Sequence, residues 1–586
     1  MSIERVPIKG GGNHPPEASL KLNGPPGTGK TTQLLERLTR LMDGGTEPAD
    51  VAFVTYRKEM AEEFLRRLES RGYITKNEWY NPWEEDTEHF GTIHAVCKRL
   101  LGDGKVVEED ARREFMYEEY SARYDGRGEN WDYDPSRADP IGTLLFDAYS
   151  WCVENKQHSF TRAPNYKRIK DKAVSPPSFE EFSQAWQSFL LDYPDDPDER
   201  GIDFASMLKE VDDRGLAPTG DVLIVDEYHD MTPIMASICE MWMDRFDTVI
   251  VGGDPLQAIY TYKGADPSFF TDLDLPEVVL DHTYRVPENV WEYAKNVIDH
   301  ETPEVVPDSS GGTVRAVQGE PTRVIEKYGE DSTMFLARTQ NQLHEIASKL
   351  KRAGIIYRSQ DSIGGWNQSD TLLALFNTLQ KLEDVRPVDH VNPNTGQTGM
   401  ARFEQDEIEE DFRQPENVEL DADTARRFIS LTPATYISGT KKGLKERLKQ
   451  LDEVTGSDLL ADVEPSFWSD MTNAASSVDN LLKYGSKETL KRALERYDEP
   501  IEDISVAPVP DVLTIHASKG KEAETVALYD GIPNAVQENI RSDVAEARAE
   551  SRVWYVAATR TADTLLLFPY EFDDYTERFL PYGPVN

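Results

Sequence analysis

The sequence has 586 residues, of which 38% are hydrophobic and 10% aromatic, and its formal net charge is −43. A chain of this length exceeds one hydrophobic core and predicts roughly three or four domains. No apolar run approaches the ~20 residues that cross a bilayer, and residues 1–5 lack the apolar segment of a signal peptide, so we expect neither a membrane span nor secretion.

The acidic balance argues against nucleic-acid binding by the whole surface, although 64 Lys and Arg residues leave room for a local basic channel. One interpretation is the high-salt cytosol of a halophile or its virus, where an acidic surface aids solubility. The other is an acidic protein of an ordinary cell. The three scattered cysteines lack the spacing of metal ligands and favour a reducing cytoplasm.

The first predicted strand, around Leu20 and Leu22, leads into a glycine-rich loop and then into leucines at helical spacing over 34–42. The loop matches the G-x-x-x-x-G-K-S/T pattern that cradles phosphates, with Lys30 reaching the β- and γ-phosphates and the Thr31 hydroxyl binding Mg²⁺. The alternative is a Gly/Pro turn before an ordinary helix. The candidate nucleotide-binding residues of this segment are Gly24, Pro25, Pro26, Gly27, Thr28, Gly29, Lys30, Thr31 and Thr32.

Short apolar runs at 51–55, 222–225 and 249–251 are typical of buried parallel strands. The second run ends in Asp226 and Glu227, at the strand end where open α/β sheets bind ligands. We expect Asp226 to bind Mg²⁺ and Glu227 to activate the attacking water, with a solvated turn as the alternative. Gln257, just beyond the third run, is a candidate sensor of the γ-phosphate.

The predicted strands define the domain organisation. Residues 1–104 and 201–275 are expected to form one nucleotide-binding α/β domain, interrupted by a helical insertion over 105–200 with a helix at 179–190.

Apolar runs at 334–337, 512–515, 526–528 and 565–568 predict a second α/β domain from 276–375 and 506–586. The insertion between its halves spans 376–505. It contains a loop-like stretch at 392–396, an acidic run at 404–411, and helical segments around 443–451 and 489–496.

Nine motifs in order through the chain resemble those of a superfamily 1 helicase of the UvrD/Rep/PcrA type. The P-loop precedes them. They lie at 54–58 with Ala61, 91–94 with Cys97, 203–204, 226–230, 253–260 with 263–266, 284–285, 338–339, 514–520 with Glu522, and 555–560.

The resemblance implies an α/β fold of two RecA-like P-loop domains with parallel sheets, each interrupted by a mainly helical insertion. It implies that Tyr284 stacks on the base and that Glu522, beside Gly520, accepts a ribose hydroxyl. It also implies that Arg285 and Arg560 approach the γ-phosphate from the second domain, a role that suits the fixed fork of a guanidinium.

Binding a single strand without sequence preference requires aromatic faces and a few basic groups. The resemblance places three tyrosines in or beside the strand-binding groove, although a lone tyrosine more commonly belongs to a core. Three lysines of the second insertion contact duplex DNA or form a solvated helix face. The candidate strand-binding residues are Tyr56, His94, Tyr260, Tyr262, Lys263, Arg338 and His516, and the three lysines are Lys441, Lys442 and Lys445.

The chain departs from the family at several positions. The family's adenine-reading glutamine upstream of the P-loop is missing, which leaves the preference for ATP over other nucleotides open. His229 replaces the glutamine of the Asp-Glu-Ala-Gln-Asp sequence, while Lys521 and Ala523 stand where leucine and phenylalanine are usual. The 376–505 insertion is short and has no clear match.

The implied function is an ATP- and Mg²⁺-dependent translocase and DNA helicase with 3′→5′ direction, acting on single-stranded DNA and its junctions with duplex in replication, repair or recombination. A monomer or transient dimer is expected, and protein partners are not predicted. The alternatives are a translocase that displaces proteins without unwinding, a nucleotide-gated interaction module, and a metabolic P-loop kinase. Lys30, Glu227, Arg285 and Arg560 together argue against the module, which needs no water-activating carboxylate.

Overall fold

The computed structural model describes most of the chain outside the second insertion. Its α-helices and strands are numbered in chain order. The described residues are 15, 18–75, 87–102, 104–107, 109–125, 139–173, 175–193, 200–298, 302–359, 419–421, 425, 426, 429, 434–437, 439–448, 451, 453–455, 458, 492, 496, 509–569, 576–577 and 579–580.

The described strands, in chain order, are β1 (Leu20–Asn23), β2 (Val51–Thr55), β3 (Phe90–Thr92), β4 (Lys105–Val106), β5 (Gly201–Ile202), β6 (Val222–Val225), β7 (Thr248–Gly253), β8 (Glu277–Val279), β9 (His282–Thr283), β10 (Val306–Pro307), β11 (Thr313–Ala316), β12 (Thr333–Ala337), β13 (Arg358–Ser359), β14 (Glu419–Asp421), β15 (Glu453–Thr455), β16 (Asp511–Thr514), β17 (Ala523–Tyr529), β18 (Ile532–Pro533), β19 (Thr561–Phe568) and β20 (Thr576–Glu577).

The described α-helices are α1 (Lys30–Asp43), α2 (Lys58–Ser70), α3 (Ile93–Leu101), α4 (Glu109–Tyr120), α5 (Ile141–Glu154), α6 (Tyr166–Lys172), α7 (Phe179–Asp192), α8 (Phe204–Arg214), α9 (Pro233–Met243), α10 (Ser268–Thr271), α11 (Glu288–Val297), α12 (Pro321–Tyr328), α13 (Gln340–Arg352), α14 (Lys441–Leu448), α15 (Asn534–Ser542) and α16 (Val544–Ala558).

The chain divides into two compact units, one made of Met1–Ala316 with Ser518–Asn586 and the other of Val317–Ala517. The first unit contains a parallel sheet with the order β3-β2-β6-β7-β1-β8 among its described residues. β2, β6 and β7 are buried along their whole length. This is why they appear in the sequence as continuous apolar runs.

Successive residues of β2 point to opposite faces of the sheet and belong to different cores. Phe53 packs in the cluster with Phe64 of α2, and their rings stack with centroids 3.8 Å apart. Ala52 and Val54 belong to the cluster on the other face. The sheet is therefore covered on both sides, as a parallel sheet requires, and the carboxyl ends of its strands meet at one edge.

The insertion in the first unit is built around aromatic side chains on α4, α5 and α7. Phe115 lies edge-on to Phe146 and Phe182, with centroids 5.8 and 5.6 Å apart. The helix predicted over 179–190 is confirmed as α7. It begins with a capping box in which the Ser178 and Glu181 side chains and backbone N–H groups bond reciprocally.

A second set of parallel strands is divided between the units. In the first unit β19 pairs with β11 and β17, and in the second unit β16 pairs with β12 and β13. The second unit also contains the antiparallel pair β14 and β15. The two sets of parallel strands confirm the predicted α/β class with RecA-like domains.

Every apolar run predicted as a strand is a strand, and the helix predicted around 443–451 corresponds to α14. Several short strands, among them β3, β8, β11 and β13, were not predicted, because each has few buried apolar residues. The six-part domain division stays a prediction. The predicted loop at 392–396, acidic run at 404–411 and helix at 489–496 lie outside the described residues, apart from single positions of the helix.

None of the described helices has both the length and the apolar character needed to cross a membrane. The three cysteines are buried free thiols.

Candidate functional site

The P-loop connects the end of β1 to the start of α1. Gly27 and Gly29 have φ values of 75° and 79°, in the left-handed region that favours glycine. The Thr28 hydroxyl donates to the Pro25 carbonyl over 2.8 Å and closes the loop. Because Gly29 is the N-cap residue of α1, the free N–H groups of that helix face the loop, an arrangement that binds anions.

The segment after β9 lies directly against this loop. The Thr283 hydroxyl donates to the Pro26 carbonyl over 2.8 Å, and the Tyr284 N–H donates to the Gly27 carbonyl over 2.9 Å. A Cβ on Gly27 would lie 2.6 Å from the Cβ of Arg285. Tyr284 is 40% exposed beside the loop.

The carboxylates at the end of β6 contact the P-loop. Thr31 Oγ1 donates to Asp226 Oδ2 over 3.0 Å, and Lys30 Nζ donates to Glu227 Oε1 over 2.5 Å. Glu227 has a φ of 55°, an uncommon conformation for a residue other than glycine. Such backbone strain clusters at functional sites. The structure therefore brings Asp226 and Glu227, the predicted catalytic pair, against the P-loop.

Burial and charge act in opposite directions on these groups. Burial alone would raise the pKa of Glu227, but Lys30, His229 and Lys519 bring that pKa well below its ordinary value. Burial alone would lower the pKa of Lys30, but Glu227 and Asp226 raise it. Both groups are thus charged at neutral pH.

One oxygen of the Glu227 carboxylate accepts no aligned hydrogen bond, although His229 Nε2 lies 3.1 Å from it and Lys519 Nζ 3.6 Å. Oε2 is buried and has no aligned hydrogen-bond donor among the described residues. A buried carboxylate oxygen in that state costs free energy unless a ligand or water satisfies it.

The Thr31 hydroxyl and the Asp226 carboxylate fit a Mg²⁺ ion. They are neighbouring oxygen donors of the kind that a hard cation prefers. Burial raises the pKa of Asp226, with Lys30 opposing the shift, so a cation at this place would stabilise its charged form.

Gln257 and Arg560 form a hydrogen bond with each other close to the carboxylates of Asp226 and Glu227. Gln257 Nε2 donates to Asp254 Oδ2 over 2.6 Å, and Arg560 donates to Gln257 Oε1 over 2.9 Å. Arg560 is only 2% exposed, and burial together with nearby Arg285 lowers its pKa to about 9. All these residues belong to the first compact unit.

Arg285 forms an ion pair with Glu522, whose Oε2 lies 2.5 Å from the Arg285 Nε. The Glu522 side chain is 59% exposed. Gly520, two residues earlier, has a φ of 87° with open space around it. The structure thus brings the predicted ribose ligand and one predicted phosphate ligand together beside the P-loop.

The predicted strand-binding tyrosines form an aromatic stack. The Tyr56 and Tyr260 rings stack with centroids 5.1 Å apart, and Tyr262 lies 6.3 Å from Tyr260 at a tilt. Lys263 Nζ lies 5.4 Å from the Tyr260 centroid. Tyr260 is only 6% exposed, whereas Tyr56 and Tyr262 are half-buried. The accessible part of the stack therefore belongs to Tyr56 and Tyr262, with Tyr260 supporting them.

His94 lies edge-on to Phe204, with ring centroids 5.4 Å apart. Burial, with a smaller effect of Lys263, lowers the pKa of His94 to about 4, so the imidazole is neutral at physiological pH. Phe204 is 50% exposed and presents an aromatic face. It belongs to the motif at 203–204, but no role was predicted for it.

Two predicted strand-binding residues, Arg338 and His516, belong to the second compact unit. Arg338 is half-buried and His516 is buried. Their roles remain predictions.

Sequence reasoning gave no role to Lys519. Its ammonium is buried, donates to Asp230 and to the Gln257 carbonyl, and lies 2.9 Å from His229 Nε2. These partners lie more than 260 residues away along the chain, so only the presence of Lys519 in the motif at 514–520 marked it.

Comparison with known proteins gives one family and several relatives. Residues 12–275 match the UvrD/REP helicase N-terminal domain. The probable DNA helicase II homolog of Mycoplasma capricolum is 22% identical over 624 aligned positions, which cover 94% of this chain and 82% of that protein. The ATP-dependent DNA helicase PcrA of Bacillus subtilis is 22% identical over 607 positions, covering 92% of this chain and 79% of that protein.

The ATP-dependent DNA helicase UvrD2 of Mycobacterium tuberculosis is similar over a shorter region. It is 26% identical over 189 positions, which cover 28% of this chain and 27% of that protein. By contrast, the alignments with the Mycoplasma capricolum and Bacillus subtilis proteins include both halves of this chain.

Proposed function

We propose that the chain is a UvrD/Rep/PcrA-like protein of helicase superfamily 1, an ATP-hydrolysing DNA helicase that moves along single-stranded DNA. The observation that carries the proposal is the joined set of Lys30, Asp226, Glu227, Gln257 and Arg560. A site that only binds nucleotide needs neither the general base nor the buried arginine.

Hydrolysis of ATP at this site requires Lys30 to change partners. In the described arrangement its ammonium neutralises Glu227. When phosphate oxygens attract Lys30, the Glu227 carboxylate is released to take a proton from the attacking water. Gln257 and Arg560 supply donors for the charge that develops on the γ-phosphate oxygens.

Thr31 and Asp226 would hold Mg²⁺, which neutralises phosphate charge when it is bound. The Tyr284 ring would stack on the base and Glu522 would accept a ribose hydroxyl, after releasing Arg285 toward the phosphates. These roles agree with the positions of the side chains around the P-loop.

The DNA strand would stack on the accessible faces of Tyr56 and Tyr262, with Lys263 beside them. Stacking on aromatic rings tolerates any base, which suits a protein that moves along a strand. We propose single strands and their junctions with duplex as substrates, movement in the 3′→5′ direction, and a role in replication, repair or recombination. The buried thiols suit a reducing compartment.

The test is the steady-state ATPase rate with and without an oligothymidine strand. We expect the strand to raise the rate, and Glu227→Gln to lower the stimulated kcat by about 10²–10³-fold with the KM for ATP little changed. Glu118→Gln, on the exposed face of α4, is the matched control and should retain full activity. A rate that ignores DNA would contradict the proposal and favour a kinase or interaction module.

Duplexes with a single-stranded tail distinguish a helicase that unwinds from a translocase that does not. Unwinding of a 3′-tailed but not a 5′-tailed duplex is the expected result. Stimulated ATPase with both duplexes intact would instead identify a translocase that displaces proteins without unwinding.

A further inference from the structure

His229 stands where the UvrD/Rep/PcrA family has glutamine. Its ring is fully buried between the end of β6 and the end of β7. The backbone N–H of Asp254 donates to its Nδ1 over 2.9 Å. A backbone N–H can only donate, so Nδ1 is the acceptor and the proton of the neutral ring lies on Nε2.

The Nε2–H group points into a set of carboxylate oxygens. Glu227 Oε2 lies 3.1 Å from Nε2, and Asp230 Oδ1 lies 3.7 Å from it. Both oxygens are buried, and neither has an aligned hydrogen-bond donor among the described residues. The Nε2–H donor of His229 thus lies near two acceptor oxygens and forms an aligned hydrogen bond with neither.

The Lys519 ammonium shares this space. It lies 2.9 Å from Nε2, a contact between two hydrogen-bond donors that displacement of Lys519 would relieve. The ammonium is held by Asp230 and the Gln257 carbonyl and is 3.6 Å from Glu227 Oε2. The ligand atoms of Glu227, His229 and Asp230 lie within 4.8 Å of one another, a spacing that suits a metal ion. Here the lysine ammonium supplies the positive charge.

Lys519 also contacts the aromatic stack. Its Nζ lies 5.5 Å from the centroid of the Tyr260 ring, on which Tyr56 stacks. The Lys519 carbonyl accepts a hydrogen bond from Arg57 over 2.7 Å, next to Tyr56. A movement of Tyr56 or Tyr260 would therefore shift the Lys519 ammonium beside His229.

We propose that His229 is a positioning residue that aligns Glu227 for water activation when a strand bound on the tyrosine stack displaces Lys519. The inference rests on the proposed function. Displacement of the ammonium turns the Nε2–H toward Glu227 Oε2. This bond would hold the carboxylate in place once Lys30 has left for the phosphates.

The donor and acceptor pattern identifies which substitutions preserve this role. A glutamine amide can accept from the Asp254 N–H through its oxygen and donate to Glu227 through its nitrogen, as the neutral imidazole does. Leucine fills similar space and does neither. Asparagine has the same two groups on a shorter side chain and cannot reach both partners.

The experiment measures kcat and the KM for ATP of the full chain, with and without oligothymidine, for wild type, His229→Gln and His229→Leu. For His229→Leu we expect the strand-stimulated kcat to fall about ten- to hundredfold, the loss of a hydrogen bond to a charged group. The KM for ATP should change less than about threefold, because His229 makes no hydrogen bond to the described P-loop residues. His229→Gln should restore the stimulated kcat to within about threefold of wild type.

Three results would overturn the inference: a stimulated kcat of His229→Leu equal to wild type, an equal loss in His229→Gln, or an equal loss with and without the strand. If His229→Leu does not fold, as judged by binding of a fluorescent ADP analogue, His229→Asn takes its place with the same expected loss. Failure of the proposed function is distinguishable, because the wild-type rate would then not respond to DNA.

Discussion

The nucleotide side and the strand side of the first compact unit are built from different interactions. On the nucleotide side, charged side chains form direct hydrogen bonds, Lys30 to the Glu227 carboxylate and Arg560 to the neutral Gln257 amide. On the strand side, aromatic rings stack and cations lie near their faces, as Lys263 and Lys519 do at Tyr260. In the proposed function, the first arrangement fixes atoms for chemistry, and the second offers aromatic faces on which any base could stack.

The largest expected effect tests the nucleotide side. Arg560→Ala should lower kcat about a thousandfold, because a guanidinium on the γ-phosphate stabilises charge that exists mainly in the transition state. The KM for ATP should change much less. Steady-state kinetics with saturating oligothymidine provide the measurement.

Arg66→Ala is the control for that experiment, since its side chain lies on the exposed surface of α2. If Arg560→Ala instead raised KM and left kcat intact, the arginine would stabilise bound ATP and the transition state equally. The contrast between a chemical side and a binding side would then break down.

The strand side should respond in affinity and not in chemistry. Tyr262→Ala should weaken binding of a fluorescent oligothymidine about ten- to hundredfold through loss of stacking, and more than Lys263→Ala does at high salt. Tyr56→Ala should have a comparable effect. Fluorescence anisotropy at two salt concentrations measures both, and a larger loss for Lys263→Ala would show that charge dominates this surface.

A smaller effect concerns Glu154, which interacts electrostatically with Tyr56 and Lys263. Burial raises the pKa of Glu154 from 4.5 to about 7, with Lys263 opposing the shift. The folded chain therefore holds this proton more tightly than the unfolded chain. The resulting loss of stability sets in as the pH rises above 4.5 and is complete above about 7.

Glu154→Gln removes this loss. We expect it to increase the free energy of unfolding by about 1–2 kcal/mol at pH 8, allowing for partial solvent screening, and by little at pH 4. Denaturant titrations at both pH values measure the difference, with Glu118→Gln as the exposed control. An equal change at both pH values would show that burial of the Glu154 charge does not affect stability.

The sequence predicted most of the nucleotide side, for a physical reason. Strands buried on both faces are continuous apolar runs, and the residues that follow them meet at one sheet edge, as Asp226 and Gln257 do. The short strand β8 was missed because only Val278 of its three residues is buried.

The strand side was less predictable, since its arrangement depends on contacts between residues far apart in the chain. Motif order indicated Tyr260 but not that its ring is covered by Tyr56. A lysine in a sequence gives no signal that it is buried, so the place of Lys519 beside His229 needed the structure.

The most direct test of the central claim, that hydrolysis at Glu227 drives movement along a strand, is stopped-flow translocation on oligothymidines of increasing length with a fluorophore at the 5′ end. We expect the arrival time after ATP addition to rise linearly with strand length, and Glu227→Gln to show no arrival. ATP turnover with an arrival signal independent of length would contradict the account.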